Sequence, residues 1–163
     1  MPMVYTSSLA TPGVSTTSGT TNTETGVISY KPAASGNVAS AALQAVYVIG
    51  RANALTAISG IAFRVMTVTT ASTAGTATTP APKDQGNQAA LTGAVTGQTI
   101  SSTGRKNHVI FGCGAAGPGG WVAPNPDSMI RIFPNTATAP SLDVLAVAAN
   151  INLTYEWSSE HVE

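Results

Sequence analysis

Ile151-Asn152-Leu153-Thr154-Tyr155-Glu156-Trp157 alternates apolar and polar residues without a break. A period of two belongs to a half-buried β-strand, whose successive side chains point to opposite faces. Ile151, Leu153, Tyr155 and Trp157 are therefore expected on one face, with Asn152, Thr154 and Glu156 on the other. The large aromatics on the first face suggest the closing edge of a core built by the preceding chain.

Upstream of this strand, short apolar runs alternate with turn signals. Leu142 to Val147 reads as a strand, as does Ser128 to Phe133, which Pro134 stops. Asn125-Pro126-Asp127 is a turn between it and Trp121-Val122. His108 to Phe111 is a strand leading into a glycine-rich corner over residues 112–120. Residues 90–100 hold a further strand. Ile61 to Thr70 is apolar on both faces, which places it centrally and requires a partner or a wet end for Arg64, since an unpaired buried charge is costly. The segment from Val38 to Ile49 reads two ways: its Ala-rich start suits a helix, and Leu43 to Ile49 is β-branched and aromatic enough for a strand. Val27 to Tyr30 is a short strand ended by Pro32. Strands recurring every 8–15 residues in this way, with no convincing amphipathic helix, predict an all-β jelly-roll or β-sandwich. The domain is expected over residues 27–163. Residues 1–26, rich in Ser, Thr, Gly and Asn, are expected to form a flexible N-terminal arm with at most a short strand at Val4-Tyr5-Thr6. Residues 71–88 make a long Pro- and Thr-containing loop, expected on the surface or on a partner.

The chain has 163 residues, seven basic and seven acidic, and only 9% are charged, against about 25% in an ordinary soluble domain. The balance argues against a nucleic-acid partner, which calls for a basic excess or stripe. It gives no reason to expect an anionic membrane surface, and no apolar run approaches the ~20 residues of a membrane helix. No signal-peptide pattern is visible, so synthesis and folding in a cytoplasm are expected. A surface kept soluble by Thr, Ser, Asn and Gln repels neighbours weakly, which suits one made to be covered by copies of itself or by other proteins.

The chemistry-bearing residues do not assemble into a reaction. Gly112-Cys113-Gly114-Ala115-Ala116-Gly117 matches the dinucleotide pattern G-x-G-x-x-G, but Pro118-Gly119-Gly120 is a poor helix start and no βαβ unit surrounds it. The corner is expected to use positive-φ glycines and close backbone approach instead. Cys113 and His108 lie five apart on one strand, hence on opposite faces; Cys113 reads as a small buried hydrophobe, His108 as a structural or interface residue, and His161 as part of a tail. Asp84, Asp127 and Asp143 are too dispersed for a calcium loop. Asn152-Leu153-Thr154 is formally a glycosylation sequon, but it falls within a strand. Arg105-Lys106 reads as a turn contact. No catalytic, cofactor or metal residue is assigned, and the protein is not expected to be an enzyme. Trp121, flanked by glycines and Pro124, is the best candidate for an exposed aromatic: a sugar platform or an interface anchor.

Phe63-Arg64-Val65-Met66-Thr67-Val68-Thr69-Thr70, followed by a Gly/Ala/Thr run and Thr79-Pro80-Ala81-Pro82-Lys83-Asp84, resembles small structural proteins of tailed bacteriophages. So do the glycine-rich corner, the penultimate apolar strand and the closing strand ending Tyr155-Glu156-Trp157. The resemblance covers about the last two-thirds of the chain and is one of style and order. It implies a jelly-roll decoration (cement) protein of the virion: a homotrimer that binds adjacent major capsid subunits and does no chemistry. A glycan- or receptor-binding module of a phage appendage is the alternative. Tyr5 and Leu9 in the arm, Pro80 and Pro82 in the long loop, and Trp121 are the expected interface residues.

Overall fold

A computed structural model describes residues 3–8, 14–15, 23–31, 40–50, 60–84, 89–114, 117–133, 140–148 and 154–163. Among these residues the chain is all-β, with one 3-10 turn and no α-helix. In order the strands are β1 (Val4–Ser8), β2 (Val14–Ser15), β3 (Thr23–Lys31), β4 (Ala41–Gly50), β5 (Gly60–Val68), β6 (Thr76–Thr78) and β7 (Ala81–Pro82). They continue with β8 (Gly93–Thr96), β9 (Lys106–Gly114), β10 (Pro118–Val122), β11 (Ile130–Ile132), β12 (Ser141–Ala148) and β13 (Thr154–Val162). The ambiguous segment is thus the strand β4. Asn125 caps the 3-10 turn at Pro126–Ser128, its Oδ1 accepting from the Ser128 amide at 3.0 Å.

The strands form one antiparallel sheet in the order β6-β8-β3-β12-β5-β9-β10-β4-β13-β1-β7, with β11 on β4 and β2 on β13. The sheet is pinched in the middle. β9 and β10 share a single register pair, Gly119 with Cys113. A Cβ at Gly119 would collide with the Gly112 carbonyl, and one at Gly120 would stand 2.6 Å from that of Val46. The corner therefore needs glycine for close backbone approach. Among the described residues the positive-φ glycines lie elsewhere, at Gly75, Gly97 and Gly104, which corrects half of the expectation.

The pinch divides the sheet into a front half, β8-β3-β12-β5-β9, and a back half, β10-β4-β13-β1, which face each other as a sandwich. β6 and β7 occupy opposite ends of the strand order, yet only Thr79 and Pro80 separate them. Three Cα steps span about 11 Å at most, so the sheet must curl until its ends meet. Within the long loop expected on the surface or on a partner, residues 73–77 are exposed, and Thr79 and Pro80 form a strap in which Pro80 is buried. Residues 85–88 lie outside the described residues.

The core fills the space between the halves. Ile28, Tyr30, Ile61, Phe63, Val65, Leu142 and Val144 come from the front, and Leu43, Val46, Val48, Tyr155 and Trp157 from the back. Phe63 is fully buried, stacked on Phe111 with centroids 5.4 Å apart, and it meets the edge of Tyr155 across the sandwich at 5.3 Å. Tyr155 and Trp157 face inward as their alternation requires. Residues 151–153, including the sequon Asn152, are outside the described residues. β13 continues to Val162, with Ser159 and His161 extending the inward face. It is an interior strand between β4 and β1, not an edge.

β5 is central and covered on both sides over part of its length. Met66 and Val68 pack with Leu145, Ile100 and Val147 in a second, outer cluster. Beside it the fully buried Asp143 carboxylate accepts from Ser141 Oγ at 2.9 Å, Ser72 Oγ at 3.0 Å and Gln98 Nε2 at 3.4 Å. Ser72 Oγ in turn accepts from the Ser101 amide at 3.0 Å. These bonds hold the crossover between β5 and β9 against the sheet. Arg64 finds the required partner in Glu24 at 3.4 Å, and Glu24 also receives Arg105 at 2.9 Å. Both pairs are half-exposed, so each contributes about 1 kcal/mol at most.

Of the expected arm over 1–26, residues 4–8 form β1, paired with β13 and β7, and residues 23–26 open β3. Those segments belong to the sheet. Residues 9–13, with Leu9, and 16–22 are outside the described residues.

Phe63→Ala should cost about 3–5 kcal/mol, because it removes the ring that joins the two halves and leaves a cavity. Urea unfolding followed by tryptophan fluorescence measures it; a loss under about 1 kcal/mol would mean the two halves do not pack through Phe63.

Candidate interaction surface

β4 carries apolar residues on both faces. Val46 and Val48 enter the core, and Tyr47 and Ile49 point outward, 44% and 42% exposed. The neighbouring strands leave them uncovered. Tyr47 lies opposite Gly120 on β10 and Ser158 on β13; Ile49 lies opposite Pro118 and Glu156. Neither a glycine nor a serine can shield an aromatic ring beside it. Val122 extends the same face from its place opposite Ala45, 51% exposed. Tyr47, Ile49, Glu156 and Ser158 border a shallow groove of about 300 Å³. At the rim, Lys83 Nζ meets Glu160 at 2.8 Å, and this carboxylate raises the lysine's affinity for its proton. The result is an apolar strip on a flat sheet face, edged by charge.

The expected interface residues do not gather here. Tyr5 is 1% exposed and faces the core, its ring stacked on His161 at 5.3 Å, so it is a core residue of the chain and not a contact surface. Pro82 is half-buried on β7 as the cross-strand partner of Tyr5. Pro80 is buried in the strap. Trp121 pairs with Val46 and packs against the core; it is half-buried, because the flanking glycines serve backbone crowding and do not expose the indole. Tyr47 and Ile49 went unrecognised. The signal was present in the unbroken apolar run 45–49, since an apolar face on each side of a strand means that each side calls for a cover.

Cys113, His108 and Arg105 have structural partners. Cys113 faces inward opposite Ile61, and burial pushes its thiol up. His108 faces outward, with Nε2 2.8 Å from Thr67 Oγ1; partial burial and then Lys106 lower its proton affinity. Arg105 donates to the Ser101 carbonyl at 2.7 Å, the turn contact expected.

The expected tail residue His161 is instead fully buried at the seam where the sheet's ends meet. Tyr30 lies 4.6 Å away between ring centroids, and its hydroxyl bonds Ser159 Oγ at 2.6 Å. Burial pushes the Tyr30 hydroxyl up to about 12. Glu163 accepts from the amides of Leu91 at 2.9 Å and Thr92 at 2.7 Å. It thereby ties the end of the back half to the segment leading into β8.

No family model, no curated protein and no solved structure matches this chain.

Trp121→Ala should lower stability by about 2–4 kcal/mol, as expected for a ring packed on a core. Thermal or urea unfolding tests this; an unchanged midpoint would return Trp121 to the surface.

Proposed function

We propose that the protein is a structural component of a bacteriophage particle: a decoration (cement) protein that self-associates as a homotrimer and binds adjacent major capsid subunits. The observation that carries this reading is the exposed strip Tyr47, Ile49 and Val122 on the outward face of β10-β4-β13. Outward sheet faces of soluble sandwiches are normally polar, and an apolar patch with a charged rim marks a protein-binding surface. The low charge of the chain supports the same reading, because little repulsion opposes close packing at high local concentration.

The mechanism is binding alone. Covering a half-exposed Tyr or Ile contributes about 1 kcal/mol each at 25 cal/mol per Å², so several such contacts repeated around a trimer give useful avidity. A ligand that binds only the assembled shell stabilises that shell by mass action. The contact role moves from the expected arm and long loop to the β4 face, because the described part of the arm and the strap are used to close the sandwich. The glycan-binding alternative rested on Trp121 as an exposed platform, and the packing of Trp121 removes its main support.

The test is a Tyr47→Ser/Ile49→Thr double variant. Surface substitutions of this kind change stability by about 0.5 kcal/mol or less, so its melting temperature should stay close to that of the native chain. Sedimentation with stripped capsids should show binding weakened at least about tenfold, the equivalent of 1.4 kcal/mol. Undiminished binding would remove this face from the contact. A monomer by light scattering that ignores capsids and retains on a glycan array would overturn the reading.

A further inference from the structure

The seam holds a group that the binding role does not use. His161 is fully buried, and its Nε2 lies 3.3 Å from Glu163 Oε1. A carboxylate can only accept, so Nε2 carries a proton, and in the neutral imidazole Nδ1 is bare. Nδ1 is buried with no hydrogen-bond partner among the described residues. The groups around the ring come from three elements. Tyr5 of β1 stacks at 5.3 Å, Tyr30 of β3 lies at 4.6 Å, and Glu163 follows β13. β4 presents Leu43 as the register partner of His161 and adds no charge. Arg131 of β11 lines the cleft that Glu163 borders.

We propose that His161 and Glu163 form an acid-sensitive latch that holds the seam closed near neutral pH and releases the segment before β8 when the surroundings acidify. A second proton on His161 must sit on Nδ1, where no described residue accepts it. Stacking on tyrosine offers a cation about 0.5–2 kcal/mol, whereas burying an unpartnered charged donor costs more than that. Burial accordingly lowers the proton affinity of His161, outweighing the nearby Glu163 carboxylate. For Glu163, burial alone would raise the carboxyl, and the donors from Leu91, Thr92 and His161 outweigh it and hold it below its ordinary value.

Both shifts have one sign. The closed seam binds fewer protons than the open one, so closure is favoured most above the ordinary histidine value of about 6.5 and weakens as the pH falls below it. The Glu163 contribution persists further, and drains away only as the pH falls from the ordinary glutamate range of about 4.3 through the lower value in the closed form. Acid therefore loosens the seam in two stages, His161 first. What opens is the contact between Glu163 and the Leu91 and Thr92 amides, the tie between the two halves of the sandwich.

Amide hydrogen exchange on the full chain by NMR tests this, corrected for the intrinsic pH dependence of exchange. Between pH 7.5 and 5.5 the Leu91 and Thr92 amides should lose more protection than Val65 and Val144 in the core, by up to about tenfold, the ceiling for one titrating histidine. His161→Phe, which keeps a ring between the two tyrosines and cannot titrate, should abolish that difference. Glu163→Gln should leave Leu91 and Thr92 less protected already at pH 7.5, with the core unchanged. If a variant fails to fold, the ring resonances of the native chain decide, with His161 expected to titrate below the value of about 6.5 for an unperturbed histidine. A His161 that titrates at its ordinary value with Leu91 and Thr92 still protected, or a His161→Phe chain with the same acid loss, would overturn the latch.

Discussion

Two residues between β6 and β7 constrain the whole molecule. Thr79 and Pro80 join strands that lie at opposite ends of the sheet order, so the sheet cannot remain open. Closure puts β3 opposite β13, which is what allows Tyr30 to bond Ser159 and to lie against His161. It also manages the edges. An open sheet of this length would present long rows of unpaired amides to other chains; here the terminal strands are three and two residues long.

Once closed, the sandwich has two kinds of polar interior. Asp143 with Ser72, Ser141 and Gln98 fastens a crossover to the outer face of β5 and β12. Glu163 with Leu91, Thr92 and His161 fastens the seam. Each joins segments far apart in the chain, and each does so with a carboxyl group that accepts several donors, so that its buried oxygens are hydrogen-bonded. Two of the seven acidic residues are used in this way. The outward face of β10-β4-β13 keeps Tyr47, Ile49 and Val122 uncovered.

Much of the fold was legible. The alternation at Tyr155 and Trp157, the two-sided apolarity of β5 and the need of Arg64 for a partner follow from periodicity and the cost of buried charge. What stayed hidden was set by distant pairing. The short strand read at Val4-Tyr5-Thr6 is β1, but its place in the sheet and the burial of Tyr5 depend on β13 and β7, and β6 and β7 exist because β8 and β1 accept them. Ser159 and His161 break the apolar code of β13 because their burial depends on Tyr30, Tyr5 and Glu163, which only the closed sheet brings near. Trp121 misled because glycine next to an aromatic suggests exposure, when those glycines answer to the Gly112 and Val46 carbonyls. Tyr47 and Ile49 were signalled by β4 being apolar on both sides, but the apolar run alone does not say which face the fold covers.

The central claim is that the sheet curls until its third and ninth strands face each other. The most direct measurement is the nuclear Overhauser contact between the rings of Tyr30 and His161, at neutral pH in the native chain. With centroids 4.6 Å apart, cross-peaks between their ring protons are predicted, together with cross-peaks from the Tyr5 ring to His161. Well-resolved rings without such cross-peaks, in a chain whose β12–β3 and β13–β4 pairings are intact, would contradict closure and with it the seam, the strap and the account of what the surface is left to do.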